Sequence, residues 1–286
     1  MVTDIAAIGA TEDMPASSEP ASVETPFAST VDAPIAPEAM AVMASPADAP
    51  TDAPTETPPP TRYTVRPPPS ATLSYDVSAL RDGQKWYGSG EIKWQIDGQH
   101  YLVTGTAGVS ALLFRITALH FASQGQMDDF GVAPLLYTET RFRKSATNTH
   151  FRQDPDIISF SASTISYPRP AGAQDRASVM WQLAAIGNGD PGKFVPDAVI
   201  DLFVAGVRDA ETWRIQVIDL EQITVGTGTL SAWHVFRAPR AGSYEQKIDI
   251  WLSPGHHWYP VKIRYTEANS DTLDLSLSRL DGATEH

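Results

Sequence analysis

From residue 72 onward, apolar and polar positions alternate with period 2, the spacing that puts every second side chain on one face of a strand. Leu73, Tyr75 and Val77 share a face in the first run. Trp86–Ile96 and His100–Gly105 flank Asp97-Gly98, which predicts a type I′ hairpin. Strands are expected over Phe114–Gly125, over Leu135–Arg143 after Pro134, and at Phe151 and Ile157–Phe160 around Asp154-Pro155-Asp156. Further along, Trp213, Ile215 and Val217 alternate with polar residues, and Leu230–Arg237 follows a Gly-Thr-Gly turn. In Lys247–Leu252 the face of Ile248, Ile250 and Leu252 opposes Asp249 and Trp251. Val261, Ile263 and Tyr265 precede a turn at Asn269-Ser270, and Leu273, Leu275 and Leu277 close the series. Such alternation implies sheet with one wet face. About ten to twelve short-spaced strands predict an all-β, mainly antiparallel fold: a barrel, a half-barrel-like sheet or a sandwich.

One segment breaks the period. From Asp175 to Ile186 the spacing is helical, with Val179, Leu183 and Ile186 on one face and Met180 beside them. Asp175 is the expected N-cap and Gly187-Asn188-Gly189 the expected stop. A single amphipathic helix among strands is expected to pack on the sheet or across a barrel mouth, or to act as a lid over a cavity.

Composition divides the chain. Residues 1–60 hold ten acidic residues and no Lys or Arg, and 14 of the 23 prolines precede residue 70. The formal net charge of −13 therefore belongs mainly to this part; the rest carries 24 acidic and 21 basic residues. Residues 1–70 are expected to be a disordered, acidic, Pro-rich linker, with too few bulky apolar groups to offset the ordering entropy. Residues 71–281 are expected to be a single β-rich domain. Pro58-Pro59-Pro60 and Pro67-Pro68-Pro69 favour polyproline II. The acidic balance without a basic stripe argues against a nucleic-acid partner. The absence of cysteine removes disulfides, thiolate nucleophiles and Cys-ligated zinc. No run of 18 apolar residues occurs, so no transmembrane segment is expected. Met1-Val2-Thr3-Asp4 has neither a basic nor an apolar leader, so no signal peptide is visible; an upstream segment is left open.

Candidate chemistry is sparse. His256 and His257 are adjacent, and neighbours on a strand point to opposite faces, so no metal site is expected there. Arg208-Asp209 could orient a ligand carboxylate or simply hold a turn by a local salt bridge. Asp249 and Lys262 are expected to face each other as a cross-strand ion pair. Gly88-Ser89-Gly90 lacks the frame of a nucleophile elbow, and Gly226-Thr227-Gly228 is too short to cradle a phosphate. No catalytic residue and no cofactor is assigned. The aromatics remain: all seven tryptophans follow residue 85. Trp86, Trp94, Phe114, Trp181, Trp213 and Phe236 are the candidate lining of an apolar cavity; the same residues would equally fill a solid core.

Four stretches carry a family resemblance: Gln174–Leu183 (QDRASVMWQL), Val204–Trp213 (VAGVRDAETW), Ser243–Leu252 (SYEQKIDIWL) and Trp258–Thr266 (WYPVKIRYT). Through them the chain resembles domain of unknown function 3108, over roughly residues 72–280. The resemblance implies a β-rich fold similar to open barrels that carry lipid or lipoprotein acyl chains, and an exported protein of the bacterial envelope or periplasm. It brings no catalytic residue. The expected function is non-enzymatic binding of an apolar ligand, such as a lipid or acyl chain, or of an envelope partner protein. A carboxylate-based hydrolase using residues such as Asp209 and Asp249, and a structural or assembly module, are the alternatives.

Overall fold

A computed structural model describes residues 61–111, 114–239 and 246–282, with side chains described outside 109–118. Fifteen strands among these residues form one sheet. β1 (Ala71–Arg81), β2 (Gln84–Asp97), β3 (His100–Ala111), β4 (Phe114–Asp128), β5 (Gly131–Arg141), β6 (Thr147–Gln153), β7 (Asp156–Phe160) and β8 (Ser163–Pro168) make an antiparallel meander. The two-residue β9 (Gln174–Asp175) leads into the helix α1 (Ser178–Gly189). A second meander follows: β10 (Val199–Ala205), β11 (Ala210–Val225), β12 (Gly228–Arg237), β13 (Lys247–Ser253), β14 (Tyr259–Thr266) and β15 (Thr272–Asp281). β15 pairs with β1 and joins the two meanders, so β8 and β9 are the two edges.

The alternation read from the sequence gives the inner face. Leu73, Tyr75 and Val77 of β1, Ile215 and Val217 of β11, and Leu275 and Leu277 of β15 are all buried. Several strands are long; β11 has 16 residues. Register shifts, such as those at Ala107/Gly108, Gln124/Gly125 and Val217/Asp219, bend these strands so that the sheet can curl. The first hairpin departs in detail from its expected turn. Asp97 pairs with His100, so the loop is Gly98-Gln99, and of the two only Gly98 has positive φ (58°). A type I′ turn needs positive φ at both central residues, so this turn is of another type.

α1 is enclosed rather than laid on one face: every residue from Ser178 to Gly187 is buried. The expected face of Val179, Leu183 and Ile186 is buried, but so are Trp181, Ala184 and Ala185 opposite. A helix without a charged side chain has no face that prefers water, and the curled sheet surrounds it. The helix also runs past its expected stop. Gly187 and Gly189 lie within it because neighbours approach there: a Cβ at 187 would meet the Trp258 ring, and one at 189 the Thr64 carbonyl at 2.5 Å.

That second contact moves a boundary. Residues 61–70, assigned to the linker by composition, lie on the domain. Tyr63 and Pro68 are buried, and the Arg66 N–H donates to the Ala185 carbonyl at 2.9 Å. Among the described residues no helix is long and apolar enough to cross a membrane.

Candidate functional site

The concave interior holds most of the aromatic surface. Trp94 of β2 and Trp181 of α1 stack with centroids 4.8 Å apart and planes 11° apart. Tyr101 of β3 also stacks on Trp94 at 5.5 Å, and Tyr259 of β14 meets Trp181 edge-on at 5.9 Å. Such pairs add about 0.5–1.5 kcal/mol each beyond their buried area. Phe194, just after the helix, packs on Trp258 at 4.5 Å and backs its contact with Gly187.

The two wings of the sheet meet across a polar seam made by β9 and α1. The Gln182 side chain accepts the Val132 N–H at 2.8 Å and donates to the Phe130 carbonyl at 2.8 Å. Gln174 donates to the Val132 carbonyl at 2.5 Å, and Thr149 of β6 donates to the Gly206 carbonyl at 2.7 Å. Asp175 is the buried hinge of this seam. Its Oδ1 accepts the N–H groups of Ala177 and Ser178, both at 2.8 Å, while Ser178 Oγ accepts the Asp175 N–H. The N-cap position itself is Ala177, not the expected Asp175, which sits at the end of β9 and bonds the turn that leads into the helix. Oδ2 accepts the Ser123 hydroxyl at 2.5 Å, and Ser123 in turn meets Tyr101 Oη at 2.9 Å. Burial pushes the Asp175 carboxyl up to about 6, held from rising further by the Ser123 and backbone donors. Gln174, Asp175, Ser178, Trp181 and Gln182 thus each have a physical task within the stretch QDRASVMWQL. Gln174 and Gln182 carried no signal by themselves: two amides near a helix start look like surface until the opposite sheet wing is in place.

The sequence-derived lining residues separate. Trp94 and Trp181 come together, and Trp213 joins the same core with the Arg237 guanidinium 5.0 Å from its ring. Trp86 shares the inward side of β2 with Trp94 but is 43% exposed at the far end of the strand, so it lines no enclosed space. Phe236 pairs with Asp249 across β12 and β13, on the outer face, beneath the Lys247 ammonium at 4.8 Å. The Phe114 side chain lies outside the described residues. Tyr101 and Tyr259 complete the aromatic set and were not singled out by spacing.

The outer face of β11–β14 carries a second cluster. His234 bonds Glu221 through Nδ1 and Asp249 through Nε2, each at 2.9 Å, and stacks on Trp251 at 4.4 Å. The Trp251 indole N–H donates to Glu221 at 2.8 Å. Asp249 also pairs with Lys247 at 3.4 Å, and despite its burial the His234 bond and the Lys247 charge keep its carboxyl below the usual range. The expected Asp249–Lys262 pair does not form. Asp249 lies opposite Arg264, and Lys262 lies opposite Trp251 with its ammonium 4.7 Å from the ring. The single helical turn Pro254–His256 lengthens the β13–β14 connection and sets a register that pattern alone left free. Arg208 and Asp209 do not pair with each other either; both are exposed, and the Asp209 carbonyl accepts the Gly206 N–H at 2.8 Å. His256 meets Ser253 Oγ at 3.1 Å, whereas the His257 carbonyl accepts from Asn188, so the two histidines serve different neighbours.

A family profile described as "Protein of unknown function (DUF3108)" matches residues 74–277. No curated relative matches the chain by sequence. Among solved structures, a β-barrel-like protein of family DUF1849 from Brucella abortus superposes with a TM-score of 0.51 at 12% identity, over 77% of this chain and 98% of that one. A domain assigned to outer-membrane lipoprotein sorting from Vibrio parahaemolyticus gives a TM-score of 0.27 at 8% identity, over 76% and 88%. A protein assigned as a lipoprotein from Parabacteroides distasonis gives 0.32 at 12%, over 77% and 99%. The Brucella protein shares the fold, and fold alone does not fix function.

Proposed function

The chain belongs to the DUF3108 family, and from that premise we propose that it is a non-enzymatic binding protein of the bacterial envelope that takes an apolar ligand, a lipid or acyl chain, against its concave aromatic face. The location is the one the family resemblance implies. The observation that carries the reading is α1 itself: an uncharged, buried helix whose Trp181 stacks on Trp94 and meets Tyr259 edge-on, tied to the opposite sheet wing by side-chain bonds rather than a strand ladder. In this reading α1 occupies the ligand's place in the free protein and moves aside to admit it. Apolar burial is worth about 25 cal/mol per Å², so an acyl chain exchanged for the helix face needs no charged partner. Asp209 and Asp249, which a hydrolase would recruit, stand apart, the first exposed on a turn and the second engaged by His234 and Lys247.

The test is native mass spectrometry of protein purified from an envelope fraction, with titration of a fluorescent long-chain fatty acid. Bound lipid, saturable probe binding and faster amide exchange in α1 on loading are the expected results. Protein that is free of lipid and indifferent to the probe would defeat the reading. A partner protein would then be sought at the open groove of about 310 Å³ on β10–β12, lined by Val199, Arg214, Gln216 and Phe236 among others.

A further inference from the structure

We propose that the groove over α1 is a binding site for a proline-rich segment, occupied here by the chain's own residues 61–70, and that this occupancy latches α1 in place.

Proline has no N–H, so a proline run can be read only through its carbonyls and its ring faces. The groove supplies the matching donors. The Trp94 indole N–H donates to the Pro68 carbonyl at 2.9 Å, and the Tyr259 hydroxyl donates to the next carbonyl, Pro69, at 2.7 Å. Pro68 itself is buried. Aromatic donors on successive carbonyls, with ring packing, are how aromatic-lined grooves recognise proline-rich peptides. The flanks are held as well. On one side the Arg66 N–H reaches the Ala185 carbonyl of α1; on the other, Ser70 Oγ accepts the Ile96 N–H at 2.9 Å. Farther out, Tyr63 is buried against the core, and the Thr64 carbonyl fills the space that a side chain at Gly189 would need. Residues 61–70 belong to no strand, so the segment can leave without breaking a ladder.

The coupling to α1 is direct. The two rings that read the prolines are the two that hold Trp181, and the segment's Arg66 bond ends on the helix backbone. Losing the segment removes one wall of the helix's enclosure. The latch does not depend on what the concave face binds.

The experiment uses the full chain with Pro67, Pro68 and Pro69 each replaced by glycine, which loosens the segment and leaves the groove intact. Amide exchange over Val179–Ile186 should rise about tenfold or more, given the entropy that each Pro→Gly change restores, while β13 and β14 stay protected. A synthetic peptide of residues 61–70 added in trans should restore protection, and a scrambled peptide should not. Tyr259→Phe, which keeps the ring and removes the Pro69 bond, should raise α1 exchange several-fold less than the triple variant. Unchanged exchange in α1, exchange raised equally in every strand, or no rescue by the peptide would each overturn the proposal. A latch that passes this test in a protein that binds no fatty-acid probe would leave the groove standing and defeat only the lipid reading.

Discussion

Two buried aspartates, one on each side of the sheet, have opposite electrostatics. Asp175, inside the seam, is surrounded by neutral donors: the Ser123 hydroxyl and two backbone N–H groups. Asp249, on the outer face, is bonded to His234 and paired with Lys247. Burial wins at the first and lifts its carboxyl to about 6; the His234 hydrogen bond and the Lys247 charge win at the second and hold its carboxyl low. The interior therefore discourages charge where the helix is anchored, whereas the outer face fixes charge in place. An apolar ligand suits the first environment, and a rigid, ion-paired outer wall suits the second.

The strongest way to break this contrast is to force a charge among apolar neighbours. Leu183 is fully buried in α1. Leu183→Asp should cost about 3–5 kcal/mol, the range for an unpaired buried charge. Chemical denaturation checks it, and a variant as stable as the parent would mean that α1 is not enclosed.

The carboxyl of Asp175 sharpens the contrast through pH. Its folded value, about 6, lies above the ordinary 3.8. The folded state therefore binds the proton more tightly than the unfolded one. The contribution is fully present below the unfolded value and is lost as pH rises through 6, by about 3 kcal/mol at most. Asp175→Asn keeps an acceptor for the Ala177 and Ser178 N–H groups and removes the titration. The parent should lose stability relative to this variant between pH 4 and 7, as read by denaturation at several pH values. Parallel curves would remove the pH argument.

How much of this was legible follows from range. The inner faces of β1, β11 and β15 came from period 2, because strand alternation is local. The helix was local too, though its N-cap is Ala177 rather than Asp175. Gly187 was read as a stop signal, but its reason is Trp258, 71 residues away and brought there by the β13–β14 connection. The aromatic pairing of Trp94 with Trp181 was anticipated only as a shared set. Trp86 obeyed the same parity yet lies beyond the core, since periodicity reports the face and not the distance along it. The outer cluster was missed because His234, Glu221 and Asp249 meet only through the registers of β11–β13. Composition misplaced residues 61–70: prolines and a lone Tyr63 look like linker until Trp94 and Tyr259 are there to read them.

Gly187→Ala tests the close approach behind the interior. The added methyl would run into the Trp258 ring, which Phe194 backs. Overpacking of this kind costs about 1–3 kcal/mol. A thermal melt of the variant should show the loss, and Trp258→Leu in the same background should recover part of it. No loss in the single variant would mean that the ring is free to move.

The smallest expected effect is on the outer face, and its pH dependence has the opposite sign. Asp249→Asn keeps the shape but removes the carboxylate that His234 and Lys247 share, leaving one amide contact. Hydrogen bonds to charged groups contribute about 1.5–3 kcal/mol, and Glu221 remains to hold His234, so a loss near the lower end is expected at neutral pH. Because the folded carboxyl titrates below its ordinary 3.8, the contribution is present above that value and disappears as pH falls through the lower folded one. As pH rises from 3 to 6 the parent should gain stability relative to Asp249→Asn and lose stability relative to Asp175→Asn, so the two signed differences move apart. Measuring both pairs in one series removes global acid effects, since each acts on the same background. If both differences moved in the same direction with pH, the division between a charge-averse interior and a charge-fixing outer wall would fail.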